Sequence, residues 1–196
     1  MKGLFNFIVS PKGNKYNNIK KLGDKELITN THIEEFKNIN REAIIKSLPS
    51  GINTNINIGD EVIIHHNIFR QSYDDDGKIK ESNFIIQDDL YFCPLDCIFL
   101  YKRNKQWNCI DDYCFVKPII NTNRNSLKHE NPDMGIIKYS DGSFNVDDLV
   151  GFNPKVNHEY IINDELLYKV KSNLIEIKYE YQGNEEEYNP SWAESS

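Results

Sequence analysis

The sequence lacks the features of several large classes of protein. No apolar run approaches the roughly 18 residues that a membrane span requires, so we predict no membrane segment. The formal net charge of -7 argues against a general affinity for the nucleic-acid backbone. Alanine is confined to Ala43 and Ala193, whereas Ile, Val, Leu, Phe and Tyr are common. This mixture favours strands over helices and predicts an all-β fold.

Signals for secretion and for catalysis are also missing. The N-terminal stretch MKGLFNFIVSPKG is interrupted by Asn6 and has no small-residue cleavage site, and no usable glycosylation sequon occurs. No nucleophile elbow, phosphate loop or metalloprotease motif is present, so we do not expect an enzyme or a bound cofactor. These observations favour a reduced, cytoplasmic protein.

The four cysteines invite a zinc hypothesis that their spacing does not favour. They lie in one window as Cys93-x3-Cys97 and Cys109-x4-Cys114, whereas zinc knuckles usually have two intervening residues. Cys97 and Cys114 fall in apolar patterns typical of strands, where a free cysteine packs as a small core residue. We therefore predict no metal site.

The chain contains two copies of one pattern. Each copy has a strand ending near proline, an Ile-Ile-Lys strand, an acidic turn before an apolar strand, and an apolar hairpin around acidic residues. The acidic turns are INIGDEVIIH (56–65) and FNVDDLVGF (144–152). Because the four features recur in the same order, the sequence predicts a tandem repeat of small β-barrels. Gly59 can adopt a positive φ and Asp60 can accept hydrogen bonds from nearby amides, which turns the chain sharply into the next strand. Asp147 and Asp148 are expected to form the same turn in the second copy.

The ordered set of motifs in the first copy resembles the GroES-type co-chaperonins. The matching segments are FNFIVSP (5–11), KELITNT (25–31), NREAIIKSLP (40–49), GDEVIIHHN (59–67) and FIIQDDLYFCPLDCIFLYK (84–102). The second copy is similar to the same barrel more loosely. The heavy use of Asn, Ile and Lys fits a virus-encoded relative, which would place the protein in the host cytoplasm.

The resemblance implies a non-enzymatic partner of a GroEL-type chaperonin. Members of that family form homo-oligomeric rings of seven subunits that cap the chaperonin and enclose a folding client. Each subunit has a mobile loop with a short apolar anchor that docks on the chaperonin. The matching loop here is residues 12–40, and its anchor falls on Glu26, Leu27, Ile28 and Thr29. Leu27 and Ile28 could instead form an ordinary strand of the barrel.

The resemblance gives a domain organisation with clear departures from the family. We expect a barrel at 1–105, a shorter barrel at 106–180 and an acidic, solvated tail at 181–196. The alternative for the tail is that Tyr188 and Trp192 pack on a barrel or on a neighbouring subunit. The interval 47–58 is shorter than the roof of GroES, and the second loop, 120–133, offers only Leu127 as an apolar anchor. The alternative is a viral structural or assembly module of two β-barrels without a chaperonin partner.

Overall fold

The computed structural model describes residues 2–16, 19–22, 25–28, 36–110, 112–120, 130–156, 158–180 and 185–193, with the backbone alone for 19–22 and 25–28. The chain is all-β, as predicted, with strands joined by turns and short 3-10 segments. In these ranges, no helix has the length and apolar character needed to cross a membrane. The chain divides into two compact units, Met1–Trp107 (unit 1) and Asn108–Ser196 (unit 2), close to the expected boundary after residue 105.

Unit 1 is built on a seven-stranded sheet. Its strands are β1 (Phe7–Pro11), β2 (Ile19–Leu22), β3 (Lys25–Ile28), β4 (Glu42–Ser47), β5 (Glu61–Ile64), β6 (Ser72–Tyr73), β7 (Ile79–Lys80), β8 (Ile85–Gln87), β9 (Leu90–Cys93), β10 (Ile98–Arg103) and β11 (Gln106–Cys109). The sheet order is β11-β10-β5-β4-β1-β9-β8, while β2–β3 and β6–β7 are separate two-stranded hairpins. The turns at Asp88-Asp89 and Asn104-Lys105 have positive φ, as tight two-residue hairpins require.

Unit 2 is built on a six-stranded sheet. Its strands are β12 (Tyr113–Ile120), β13 (Glu130–Tyr139), β14 (Leu149–Phe152), β15 (His158–Ile162), β16 (Glu165–Lys171) and β17 (Ile175–Tyr179). The sheet order is β15-β16-β12-β13-β14-β17. In the described ranges both sheets end in edge strands, so closure of either one into a barrel stays a prediction.

The two sheets share one topology, which confirms the predicted internal repeat. Strands β8, β9, β1, β4, β5 and β10 of unit 1 correspond in order to β15, β16, β12, β13, β14 and β17 of unit 2. The registers also agree. Val9 pairs with Ile45 in unit 1 as Val116 pairs with Ile137 in unit 2, and each pairing has a bulge just before the valine.

The acidic turns before β5 and β14 have the same hydrogen bonds in both units. The Asp60 carboxylate accepts from the Asn57 amide at 2.8 Å, and the Asp148 carboxylate accepts from Asn145 at 3.0 Å. The preceding residues, Gly59 and Asp147, have φ of 91° and 70°. The predicted turn function of both Gly-Asp and Asp-Asp is therefore confirmed.

Each unit has its own apolar core, formed mainly by Val, Ile, Leu and aromatic side chains on the strands. The unit 1 core includes Phe7, Val9, Ile45, Val62, Ile64, Phe69, Tyr91 and Leu100. The main unit 2 cluster comprises Cys114, Val116, Ile137, Val150, Phe152, Leu166, Tyr168, Val170 and Ala193.

Two local expectations were wrong. The tail was expected to be solvated, but its described part, 185–193, belongs to unit 2. The Tyr188 amide donates to the Pro118 carbonyl at 2.8 Å, and Ala193 is fully buried. Tail packing also gives the buried Lys117 ammonium an acceptor, the Asn189 side-chain oxygen at 2.8 Å. Cys97 lies in a 3-10 turn (Leu95–Cys97) rather than in a strand, because Pro94 interrupts the run after β9.

Candidate functional site

The most distinctive feature of unit 1 is a long excursion of the chain between β1 and β4. Its two ends meet where Tyr16 and Ile39 form an antiparallel bridge and the Asn40 amide donates to the Lys15 carbonyl at 2.9 Å. The Asn40 side chain donates to the carbonyls of Lys12 and Asn14 at 2.9 and 2.8 Å. Residues 12–16 and 36–40 are thus fastened to each other, so the excursion is shorter than the predicted loop of 12–40.

An ionic cluster lies at the base of this excursion. The Lys12 ammonium contacts Glu42 at 2.8 Å and Glu61 at 3.0 Å, and Lys102 contacts Glu61 at 3.2 Å. Hydrogen bonding to Glu42 raises the pKa of Lys12 despite its partial burial. Partial burial alone would raise the pKa of Glu61, but the bonds from Lys12 and Lys102 outweigh it and lower that pKa. The cluster joins β1, β4, β5 and β10 on one face of the sheet.

A second set of polar contacts connects the first end of the excursion, residues 12–16, to the β6–β7 and β8–β9 hairpins. The Tyr16 hydroxyl accepts from the Gln71 amide at 2.7 Å, and the Gln71 side chain donates to Glu81 at 2.6 Å. The Lys15 ammonium lies 3.5 Å from carboxylate oxygens of both Glu81 and Asp89. Contacts with the residues that flank the β6–β7 hairpin and with the β8–β9 turn therefore hold the start of the excursion in place.

Aromatic and cationic side chains lie around the second end of the excursion, residues 36–40. Phe36 lies 5.8 Å from the His66 ring, and the Arg41 guanidinium lies 5.6 Å from the Phe36 ring. His66 stacks on His65 at 4.3 Å. The His65 ring nitrogen accepts from the Asn67 amide at 3.2 Å, which caps a 3-10 turn. Phe36–Asn38 form a single 3-10 turn.

The predicted anchor falls on the second strand of the hairpin within the excursion. Glu26, Leu27 and Ile28 belong to β3, which pairs with β2 as Lys21↔Glu26, Lys20↔Leu27 and Ile19↔Ile28. Thr29 lies outside the described residues. The hairpin forms a two-stranded sheet of its own, separate from the seven-stranded sheet. Leu27 and Ile28 are thus in a strand, but not in one of the main sheet.

Unit 2 lacks an excursion of this length. Its β12 ends at Ile120 and β13 begins at Glu130, so 130–133 are strand residues rather than part of the expected second loop, 120–133. Leu127, the one apolar anchor expected there, lies outside the described residues. The two units therefore differ most at the connection between their first two long strands.

The cysteines form no candidate metal centre. Cys93 and Cys114 are buried, and Cys97 and Cys109 are half-buried, all as free thiols. Burial raises the pKa of the Cys93 and Cys109 thiols, which keeps them protonated and unreactive near neutral pH. Within the described ranges, no three His, Cys, Asp or Glu side chains are grouped so that they could hold a metal ion.

The chain matches no protein-family model, no curated protein and no solved structure. The candidate site therefore rests on its geometry. The anchor at 26–29 stays a prediction, and the sequence pattern did not indicate the residues that hold the ends of the excursion: Lys12, Asn40, Glu42, Glu61 and Lys102. Their charges are visible in the sequence, but the contacts depend on a four-strand register, which a single sequence does not reveal.

Proposed function

We propose that this protein is a co-chaperonin that caps a GroEL-type chaperonin ring and helps to enclose a folding client. The observation that supports it is the β2–β3 hairpin, which forms a sheet separate from the main sheet of unit 1. The two ends of the excursion that contains this hairpin are joined by the Tyr16–Ile39 bridge. Its second strand, β3, contains the adjacent apolar pair Leu27 and Ile28. A two-stranded hairpin has little stability alone, so docking on a partner would complete its packing.

The mechanism follows from weak individual sites. Docking restricts the motion of the hairpin and so costs entropy, which makes the binding of one copy to the chaperonin weak. Several copies in a homo-oligomeric ring bind tightly together because each bound hairpin raises the effective concentration of the next. The contacts of Lys12, Tyr16 and Asn40 hold the two ends of the excursion against unit 1. Such a cap can be released when the chaperonin changes its nucleotide state.

The proposal is tested by capture on an immobilised chaperonin, with and without nucleotide. We expect nucleotide-dependent capture of the wild-type chain and at least a hundredfold weaker capture of the L27D/I28D variant, because avidity multiplies the loss at each site. The matched control is L127D, which places a charge in the shorter connection of unit 2 and should bind normally.

Folding must be followed in the same variants. Trp107 is the one tryptophan of unit 1, so its fluorescence reports whether L27D/I28D leaves that unit folded. Normal capture by L27D/I28D would contradict the anchor, and loss of capture together with the fold would make both residues core residues. No capture of the wild-type chain in either nucleotide state would favour the assembly-module alternative.

A further inference from the structure

The internal repeat reveals an edge strand that is paired in unit 1 and, among the described residues, has no strand at its outer edge in unit 2. In unit 1 the outer edge of β10 is paired with β11. Its counterpart in unit 2, β17, is the last strand of its sheet, and none of the described residues pairs with its outer edge. The next described segment, 185–193, lies along β12 instead, where Ile119 and Glu187 form a bridge.

The open edge exposes an apolar side chain at a position that is buried in unit 1. Leu100 pairs with Ile63, and Ile177 pairs with Gly151 at the corresponding place. Leu100 is fully buried, whereas Ile177 is 49% exposed. Unpaired backbone groups next to an exposed apolar side chain form a template for another strand.

The sequence of β17 complements itself in an antiparallel pair. The strand is Ile175-Glu176-Ile177-Lys178-Tyr179. When two copies align antiparallel about Ile177, each Glu176 lies opposite Lys178 of the other copy, and each Ile175 lies opposite Tyr179. Opposite charges and apolar pairs at facing positions stabilise such a ladder. Lys178 also forms an ion pair with Asp148 of its own chain at 2.8 Å.

We propose that β17 is a self-recognition surface, on which the β17 strand of a second copy of this chain pairs antiparallel with Ile177 at the two-fold axis. This surface is independent of the proposed chaperonin contact, which lies in unit 1. Because a two-fold contact closes on itself, it would join subunits of two rings rather than neighbours within one ring. A five-residue ladder is small, so we expect a dissociation constant between about 1 µM and 1 mM.

The two-fold axis at Ile177 predicts that the I177C variant forms a disulfide between two copies of the chain. Facing residues of an antiparallel pair have Cα atoms about 4.5–5.5 Å apart, which a disulfide can span. Under mild oxidation with glutathione disulfide, I177C should give a covalent dimer at least tenfold faster than K155C, an exposed control in the same unit. Wild-type protein gives the background from the native cysteines. Equal rates for I177C and K155C would overturn the proposal, and so would a ring contact that pairs β17 with a different strand.

Charge variants test the register. In the I177C background, E176K places lysines opposite each other on both sides of the central pair, and K178E places glutamates there. Each variant alone should cross-link at least tenfold more slowly, while an equimolar mixture should recover the rate as a mixed dimer. Glu176 has no intrachain ion pair among the described residues, so E176K should keep unit 2 folded even if K178E, which loses Asp148, does not. Unchanged cross-linking by E176K would refute this register.

Discussion

The two units use one backbone arrangement with opposite chemistry on one face of the sheet. Four positions that form the ionic cluster in unit 1 form an apolar cluster with Ile136 in unit 2. The equivalent residues, unit 1 first, are Lys12 and Ile119, Glu42 and Met134, Glu61 and Leu149, and Lys102 and Tyr179. The inner positions are alike, as Val9 and Val116 or Val62 and Val150 show. The topology thus depends on the inner face and tolerates either chemistry on the outer one.

The segment beside the outer face of each sheet explains why that face is ionic in unit 1 and apolar in unit 2. The ionic side chains of unit 1 are 27–39% exposed and lie where the excursion begins. In unit 2 the tail pairs beside Ile119, and Ile119, Ile136 and Leu149 are buried. Charged groups remain hydrated at a partly open face, whereas a covered face gains free energy from burying apolar area. The side chains of each outer face therefore match the segment beside it, which is the excursion in unit 1 and the tail in unit 2.

The largest effect is expected from placing the charge of one unit into the other. Leu149→Glu in unit 2 reproduces Glu61, but its neighbours Ile119 and Tyr179 cannot neutralise the carboxylate. We expect a loss of about 3–5 kcal/mol in the free energy of unfolding of unit 2, the cost of an uncompensated buried charge. Urea unfolding of a W107F background measures it, because Trp192 is then the one remaining tryptophan and lies in unit 2.

The matched change in unit 1 is Glu61→Leu. It removes a partly exposed carboxylate whose lysine partners can be hydrated, so its effect should stay within about 1 kcal/mol. Trp107 reports it in a W192F background. Adding I119K and Y179K to L149E supplies the two missing cations and should recover part of the loss. Equal losses for L149E and E61L would show that the two faces are not chemically distinct.

The sequence predicted what depends on local pattern. The strand content, the repeat and the acidic turns at Asp60 and Asp148 follow from apolar periodicity and turn chemistry, and the structure confirms them. The ionic cluster, the tail packing and the open edge of β17 depend on contacts between strands that are distant in sequence. An acidic tail also resembles a solvated one until the core that covers Ala193 is known. The anchor at Leu27 and Ile28 was predicted from a family resemblance alone, and no side-chain contact of the described residues tests it.

A second comparison concerns corresponding small residues, Ala43 in β4 and Gly135 in β13. A Cβ atom on Gly135 would lie 2.4 Å from the Lys117 carbonyl oxygen and 2.6 Å from a Val116 methyl carbon. Gly135→Ala must therefore displace the backbone of β12, and we expect a loss of about 2–3 kcal/mol in unit 2. The measurement is urea unfolding followed by Trp192 in the W107F background.

Ala43→Gly is the reverse change in unit 1, where the methyl group is buried without a clash. It should cost only about 1 kcal/mol, chiefly through the entropy of the unfolded chain. If G135A is as mild as A43G, β12 and β13 can separate at this point and the registers of the two units are less alike than the pairings indicate.

The smallest effects are expected at the turns that both units share. No atom lies within 4 Å of a Cβ built on Gly59, so Gly59→Ala should cost only the strain of its positive φ, about 1–2 kcal/mol in unit 1. Asp147 already bears that strain in unit 2, and Asp147→Gly should relieve it. The greater freedom of glycine in the unfolded chain opposes the gain, so we expect a net stabilisation of at most about 1 kcal/mol. Urea midpoints, followed by Trp107 for G59A and by Trp192 for D147G, should therefore shift in opposite directions. A clear loss of stability in D147G would mean that the Asp147 side chain contributes a contact beyond its backbone conformation, and the D147A variant would then show a larger loss than G59A.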